Sequence, residues 1–125
     1  MWFRPLLPGD EENKAALAEE YRAAKKYSKL SLGSKRLFFR AGLRTYYIPY
    51  GQVTRCFRRV QLIPIKTGGQ DREIRLENMV LCGEQGELVQ LRLAGEKEAK
   101  RLLEDLKKRM PEAQFGKPAE AAPAE

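Results

Sequence analysis

Three rhythms of apolar and polar residues succeed one another along the chain. The first is helical: Leu17, Tyr21 and Ala24 recur on one face, while Glu19, Glu20 and Arg22 point elsewhere. Pro8-Gly9-Asp10-Glu11-Glu12 reads as the helix start, with Asp10 as cap, and Lys25 and Lys26 close the helix where its dipole favours cations. The stripe is narrow and rich in alanine. Such a helix either packs loosely on the rest of the chain or meets another chain, and the pattern does not choose between them. Trp2 and Phe3 ahead of it call for burial.

From Tyr27 the period changes to two, the spacing of half-buried strands. Residues 29–32 alternate and end at Gly33-Ser34, residues 36–40 follow, Ala41-Gly42-Leu43 turns, and residues 44–48 form a third strand, which predicts an antiparallel meander. Tyr46-Tyr47-Ile48-Pro49-Tyr50-Gly51-Gln52-Val53 then marks a corner, because Pro49 cannot donate to a ladder and Gly51 accepts unusual backbone angles. Residues 52–65 form a longer extended run whose apolar phase slips between Phe57 and Val60, as a bulge or bend would make it. Residues 66–71 are a loop by composition. Alternation resumes at Glu73-Ile74-Arg75-Leu76-Glu77, with its carboxylates expected to face outward, and Met79 to Cys82 is apolar throughout. Gly83-Glu84-Gln85-Gly86 makes a hairpin into the last strand, 88–93, which brings the count to six.

The third rhythm is a strong amphipathic helix. Ala99, Leu102, Leu103, Leu106 and Met110 fall on one face, Ala94-Gly95 opens the helix, and Pro111 ends it. Glu96 with Lys100 is one of several i, i+4 pairs that support its exposed side. The chain thus divides into an apolar segment and helix over 1–27, a β-rich domain over 28–111, and a Pro/Ala/Glu tail over 112–125 expected to be disordered.

Charge changes this picture more than overall composition does. The formal charge of +7 comes from 24 basic and 17 acidic residues, yet residues 29–70 hold nine basic residues and no acid. The positive field belongs to one half of the domain. Cys56 and Cys82 lack the spacing of a zinc site or a redox pair, and there is no histidine, so both are expected to be small buried residues in a reducing compartment. No apolar run reaches the ~20 residues a spanning helix needs, and prolines break the apolar start, so a cytoplasmic protein is expected. An enzyme is not indicated: there is no Gly-rich phosphate loop and no isolated carboxylate pair, and Ser31 and Ser34 have no base beside them. No cofactor or metal is called for.

The stretch Leu32-Gly33-Ser34-Lys35-Arg36-Leu37-Phe38-Phe39-Arg40, followed by Tyr47-Ile48-Pro49-Tyr50-Gly51-Gln52-Val53, resembles bacterial pleckstrin-homology-like (PH-like) and GRAM-type domains. The resemblance implies a mainly β fold with α: a bent, nearly closed antiparallel barrel or sandwich of six or seven strands, capped by the C-terminal helix and preceded by the N-terminal one. It departs from signalling PH domains in lacking a tryptophan in the C-terminal helix. Lys29 followed by Lys35-Arg36 only loosely approaches their phosphoinositide signature.

The function expected from these features is a non-enzymatic binding module. Its basic half would meet an anionic surface, either phospholipid headgroups at the inner membrane surface or an acidic protein, through Lys35, Arg36, Arg40, Arg44, Arg55, Arg58 and Arg59. The alternative is a protein-interaction or structural domain without a lipid ligand. Nucleic-acid binding ranks lower: Phe38, Phe39, Tyr46, Tyr47, Tyr50 and Phe57 interleave with arginines, but alternating strand aromatics are usually core. The oligomeric state is not written in the pattern.

Overall fold

The computed structural model describes residues 3–7 and 13–116. The expected cap at Asp10, the burial of Trp2 and most of the tail lie outside the described residues. The chain separates into two compact units, 1–53 and 54–125. Among the described residues there are two helices and nine strands in two sheets, with no closed barrel. The expected six- or seven-stranded, purely antiparallel arrangement is corrected on both points, because three short strands join the sheets and two of them run parallel to their neighbours.

In the first unit, β1 (Phe3–Pro5), α1 (Lys14–Ala23), β2 (Lys25–Lys26), β3 (Leu30–Leu32), β4 (Arg36–Ala41) and β5 (Arg44–Pro49) form a sheet ordered β1-β5-β4-β3-β2 plus one helix. The Asn13 side chain caps α1, its Oδ1 accepting from Ala15 N at 2.8 Å and Ala16 N at 3.2 Å. Leu17 and Tyr21, one turn apart, carry the helix onto the sheet, where Leu17, Phe38 and Tyr47 form a buried cluster with Phe3 and Tyr21 against it. Phe3, Tyr21 and Phe38 meet edge to face with centroids 5.3–5.9 Å apart. Lys26 closes the helix through its side chain, its Nζ donating to Tyr21 O at 2.6 Å, but the backbone of Lys25 and Lys26 has already left the helix. The chain turns extended at Ala24, and the two lysines pair with Leu32 and Ser31, which supplies ladder bonds that a last helical turn would forgo.

The corner after β5 is where the sequence pattern places it. Pro49 is the last strand residue, and a single 3-10 turn over Tyr50–Gln52 closes with Val53 N donating to Tyr50 O at 3.1 Å. Gly51 is not required there for its backbone freedom, since its φ is not positive and a Cβ would meet open space.

The second unit comprises β6 (Arg55–Thr67), β7 (Gln70–Gly83), β8 (Gly86–Arg92), α2 (Glu96–Arg109) and β9 (Gln114–Phe115), with sheet order β8-β7-β6-β9. β6 and β7 pair without a break from Arg55↔Cys82 to Thr67↔Gln70, so the bulge expected near Phe57 is absent. The irregularity lies instead between Leu81 and Cys82, opposite β8. The change of apolar phase in β6 has another cause: from Val60 onward the strand is exposed, so burial no longer selects one parity. The expected loop over 66–71 shrinks to a two-residue turn, for which Gly68 and Gly69 supply φ values of 60° and 81°. Cys56, Met79, Val80 and Leu81 are fully buried in this unit. The α2 stripe buries Ala99, Leu102, Leu106 and Met110 as expected, Leu103 is only half-buried at its margin, and the Glu96–Lys100 bridge is 3.1 Å long. Gln114–Phe115, at the start of the expected tail, pairs with Arg55 and Cys56.

Candidate functional site

The polar chemistry of the first unit centres on the turn between β3 and β4. Glu20 of α1, 8% exposed, reaches this turn from one side. Its Oε2 accepts from Lys35 N at 2.6 Å and Arg36 N at 2.8 Å, and its Oε1 accepts from the Arg36 guanidinium. Gly33 makes room for the carboxylate, since a Cβ there would fall 2.5 Å from Oε2. The Tyr50 hydroxyl donates to Gly33 O at 2.7 Å, and Tyr50 N donates to Lys35 O at 3.2 Å. Helix, turn and corner are thereby tied together, and Glu20 does not point away as its helical position implied.

The latch reassigns the expected basic residues. Arg36 is paired with Glu20 and half-buried. Arg58 is paired too, its Nη2 donating to Glu77 Oε1 at 3.0 Å and Oε2 at 3.1 Å. Arg75 Nε joins at 3.0 Å, so Glu77, 3% exposed, is enclosed by two guanidiniums. This corrects its expected outward orientation. Arg59 donates to Glu87 and Gln90, and Arg55 to Gly116 O and Gln114 Oε1. The side chains of Lys35, Arg40 and Arg44 are exposed and make no hydrogen bond or ion pair among the described residues. Arg40 sits across from Thr45 and Arg44 across from Ala41, so the two arginines face opposite sides of the sheet.

Beside Arg40 lies a depression of about 370 Å³, walled by Tyr21, Tyr27 and Phe38 and edged by Lys26, Lys29, Ser28 and Ser31. No acid is among the described residues that line it. The Lys26 ammonium is fixed, donating to Tyr21 O at 2.6 Å and lying 4.0 Å from the Tyr21 ring centroid. Lys29 and Arg40 are exposed, with no ion pair among the described residues. Three cations and two hydroxyls around an open hollow form a donor set for an anion such as a phosphate. Sequence reasoning missed Lys26 by assigning it to the helix. It weighed Lys29 only in a linear motif, because the partner that matters, Arg40, is reached across the β3–β4 pair.

The cysteines are free and buried. Burial, and then the charge of the Cys82 thiolate, push the Cys56 thiol up to about 12, and burial also raises Cys82. Both are poor nucleophiles at neutral pH. Of the aromatics considered for base stacking, Phe38, Phe39, Tyr47 and Phe57 are buried, and Tyr46 stacks on Phe39. No group of three or more His, Cys, Asp or Glu among the described residues is placed to hold a metal, and no described helix is long and apolar enough to cross a membrane. Comparison of the chain with known protein families, curated proteins and solved structures finds no match.

Proposed function

We propose that the protein is a non-enzymatic, PH-like binding module that adsorbs to an anionic membrane surface from the cytoplasmic side. On this reading the hollow of Lys26, Lys29 and Arg40 takes a phosphorylated headgroup. The carrying observation is that Lys29 and Arg40 are exposed, with no ion pair among the described residues, beside a hollow whose described lining holds no acid. The β4–β5 turn supports the same reading. Leu43 is 89% exposed at its tip, between Arg40 and Arg44, which suits an apolar contact flanked by headgroup contacts. From the PH-like resemblance the reading keeps two successive antiparallel meanders and a C-terminal amphipathic helix, not a closed barrel.

The test is sedimentation with neutral and anionic vesicles at low and high salt, since exposed charges are screened within about 8–10 Å at ordinary ionic strength. Binding is expected to anionic vesicles alone and to weaken with salt. Each juxtamembrane cation contributes about 1 kcal/mol, so K29E/R40E should lower affinity about 30-fold or more. Arg59→Gln, at a paired arginine, should change it little. Equal binding by K29E/R40E and the unaltered chain, or no binding at low salt, sinks the proposal.

A further inference from the structure

Beyond Arg59 and Asn78 the β6–β7 hairpin runs on without a neighbouring strand among the described residues, because β9 pairs only as far as Cys56 and β8 only as far as Asn78. Residues 60–67 and 70–77 therefore form a two-stranded ribbon about 26 Å long. Such ribbons are marginal in water on their own, and this one exposes Leu62, Ile63, Ile65 and Ile74. On one face Ile63 lies directly across from Ile74, with Ile65 and Leu76 beside them, and the three isoleucines are 37–44% exposed. The other face sets Leu62 and Pro64 against Arg75 and Glu73.

The two edges of the ribbon are not equivalent. The two-residue turn makes Thr67↔Gln70 a hydrogen-bonded pair, and alternate pairs follow suit along the ladder. Asp71, Glu73 and Arg75 consequently turn their backbone N–H and C=O groups outward. The phase is confirmed at Glu77, whose outward carbonyl accepts from Leu93 N at 2.8 Å. That bond also marks where the edge ceases to be open. On β6 the corresponding outward positions include Pro64, which has no N–H and so protects that edge. β7 carries no proline.

We propose that the open β7 edge pairs antiparallel with the same edge of a second copy of this chain, about a two-fold axis at Ile74. In that register Glu73 lies opposite the second copy's Arg75, and Arg75 opposite the second copy's Glu73. Both are outward-facing positions, so each pair exchanges both of its backbone bonds and sets opposite charges side by side. The isoleucines then form one continuous row across four strands, Ile63, Ile74 and their two symmetry mates. Of the neighbouring registers, those with the axis at Arg72 or Arg75 are penalised by charge. An axis at Arg72 opposes Asp71 to Glu73 and one at Arg75 opposes two arginines, whereas an axis at Glu73 opposes two glutamates, sets Asp71 opposite Arg75 twice, and breaks the isoleucine row by placing Ile74 opposite Arg72. The interface is isologous, as a two-fold contact must be.

The experiment is sedimentation velocity on the full chain over a wide concentration range, with the variants E73R and R75E alone and mixed. The unaltered chain should dimerise with concentration. Each single variant sets like charges opposite one another twice and should weaken its own dimer about tenfold or more. Mixed in equal amounts, E73R and R75E restore both opposite-charge pairs, so a heterodimer should return. E73R leaves the contacts of Glu77 untouched, and a circular-dichroism melt matching that of the unaltered chain establishes that it folds. A chain that stays monomeric throughout overturns the proposal. So does a folded E73R that dimerises undiminished, or a mixture of folded variants that stays monomeric.

Discussion

The Glu20 latch makes a double-mutant prediction whose sign follows from geometry. Glu20→Ala removes the acceptor for Lys35 N, Arg36 N and the Arg36 guanidinium. Lys35 N stands at an exposed turn and regains water, so its loss counts for little. Arg36, whose side chain is 12% exposed, keeps a charge that water reaches poorly. A hydrogen bond to a charged group contributes about 1.5–3 kcal/mol, and stranding one partner of a buried ion pair costs about 3–5 kcal/mol. With partial solvent access to Arg36, the expected loss is about 2–4 kcal/mol. Gly33→Ala attacks the same contact from the other side, because its Cβ would lie 2.5 Å from Glu20 Oε2, 2.7 Å from Cγ and 2.9 Å from Cδ. The carboxylate must leave its donors, for an expected loss of about 1–3 kcal/mol. Once Glu20 is alanine, the clash has no second party. Gly33→Ala in that background should be neutral or stabilising by up to about 1 kcal/mol, through the reduced freedom of the unfolded chain. Urea denaturation of the four chains gives the coupling. Additivity within about 0.5 kcal/mol would refute the reasoning, since independent sites behave that way.

Glu77 offers a parallel test in the second unit: Glu77→Ala strands Arg58 in partial burial and should cost about 3–4 kcal/mol by thermal or urea melt, with Glu77→Gln losing about half as much. A neutral Glu77→Ala would show that the pair is no better than its desolvation. Cys56 predicts a pH dependence. The thiol ionises near 9.0 when unfolded and near 12 when folded, so between these values the unfolded chain binds fewer protons and stability falls as pH rises, by at most about 1.4 kcal/mol per unit. Cys56→Ala removes this component, and the difference between the two stability profiles from pH 8 to 11 should show it. Coincident slopes would count against a buried neutral thiol.

The strands that were legible in the sequence are those long enough to repeat. β4, β5 and β8 are runs of six or seven residues rich in β-branched, aromatic and aliphatic side chains and bounded by turn residues, and α2 shows a stripe over three helical turns. β1, β2 and β9 are two or three residues long and carry no rhythm, so nothing in their composition announces a ladder. Lys25 and Lys26 announce a helix end, where the Lys26 ammonium does sit, and give no sign of a strand. What makes them a strand is Ser31 and Leu32, which only the fold brings alongside. The apolar ribbon was illegible for the opposite reason. Ile63, Ile65 and Ile74 read as core in any count of hydrophobic residues, and their exposure follows from the absence of a third strand, which is a property of topology.

The basic stretch shows most clearly why a linear charge count misleads. Residues 29–70 hold no acid, yet four of the seven cations selected from it for anion binding have side-chain partners in space. Antiparallel pairing folds β7 back along β6, which carries Glu77 to Arg58, and β8 continues the sheet to bring Glu87 to Arg59. The helix before the stretch brings Glu20 to Arg36, and the segment after α2 brings Gln114 to Arg55. An acid-free run in sequence is therefore engaged first where its strands have neighbours, by carboxylates at Arg36, Arg58 and Arg59 and by neutral acceptors at Arg55. It stays cationic where its residues flank turns, at Lys29, Lys35, Arg40 and Arg44, because a turn is flanked by solvent. That is why Arg40 and Lys29, separated by eleven positions in the chain, meet at one hollow, while Arg58 and Arg59 hold their own sheet together.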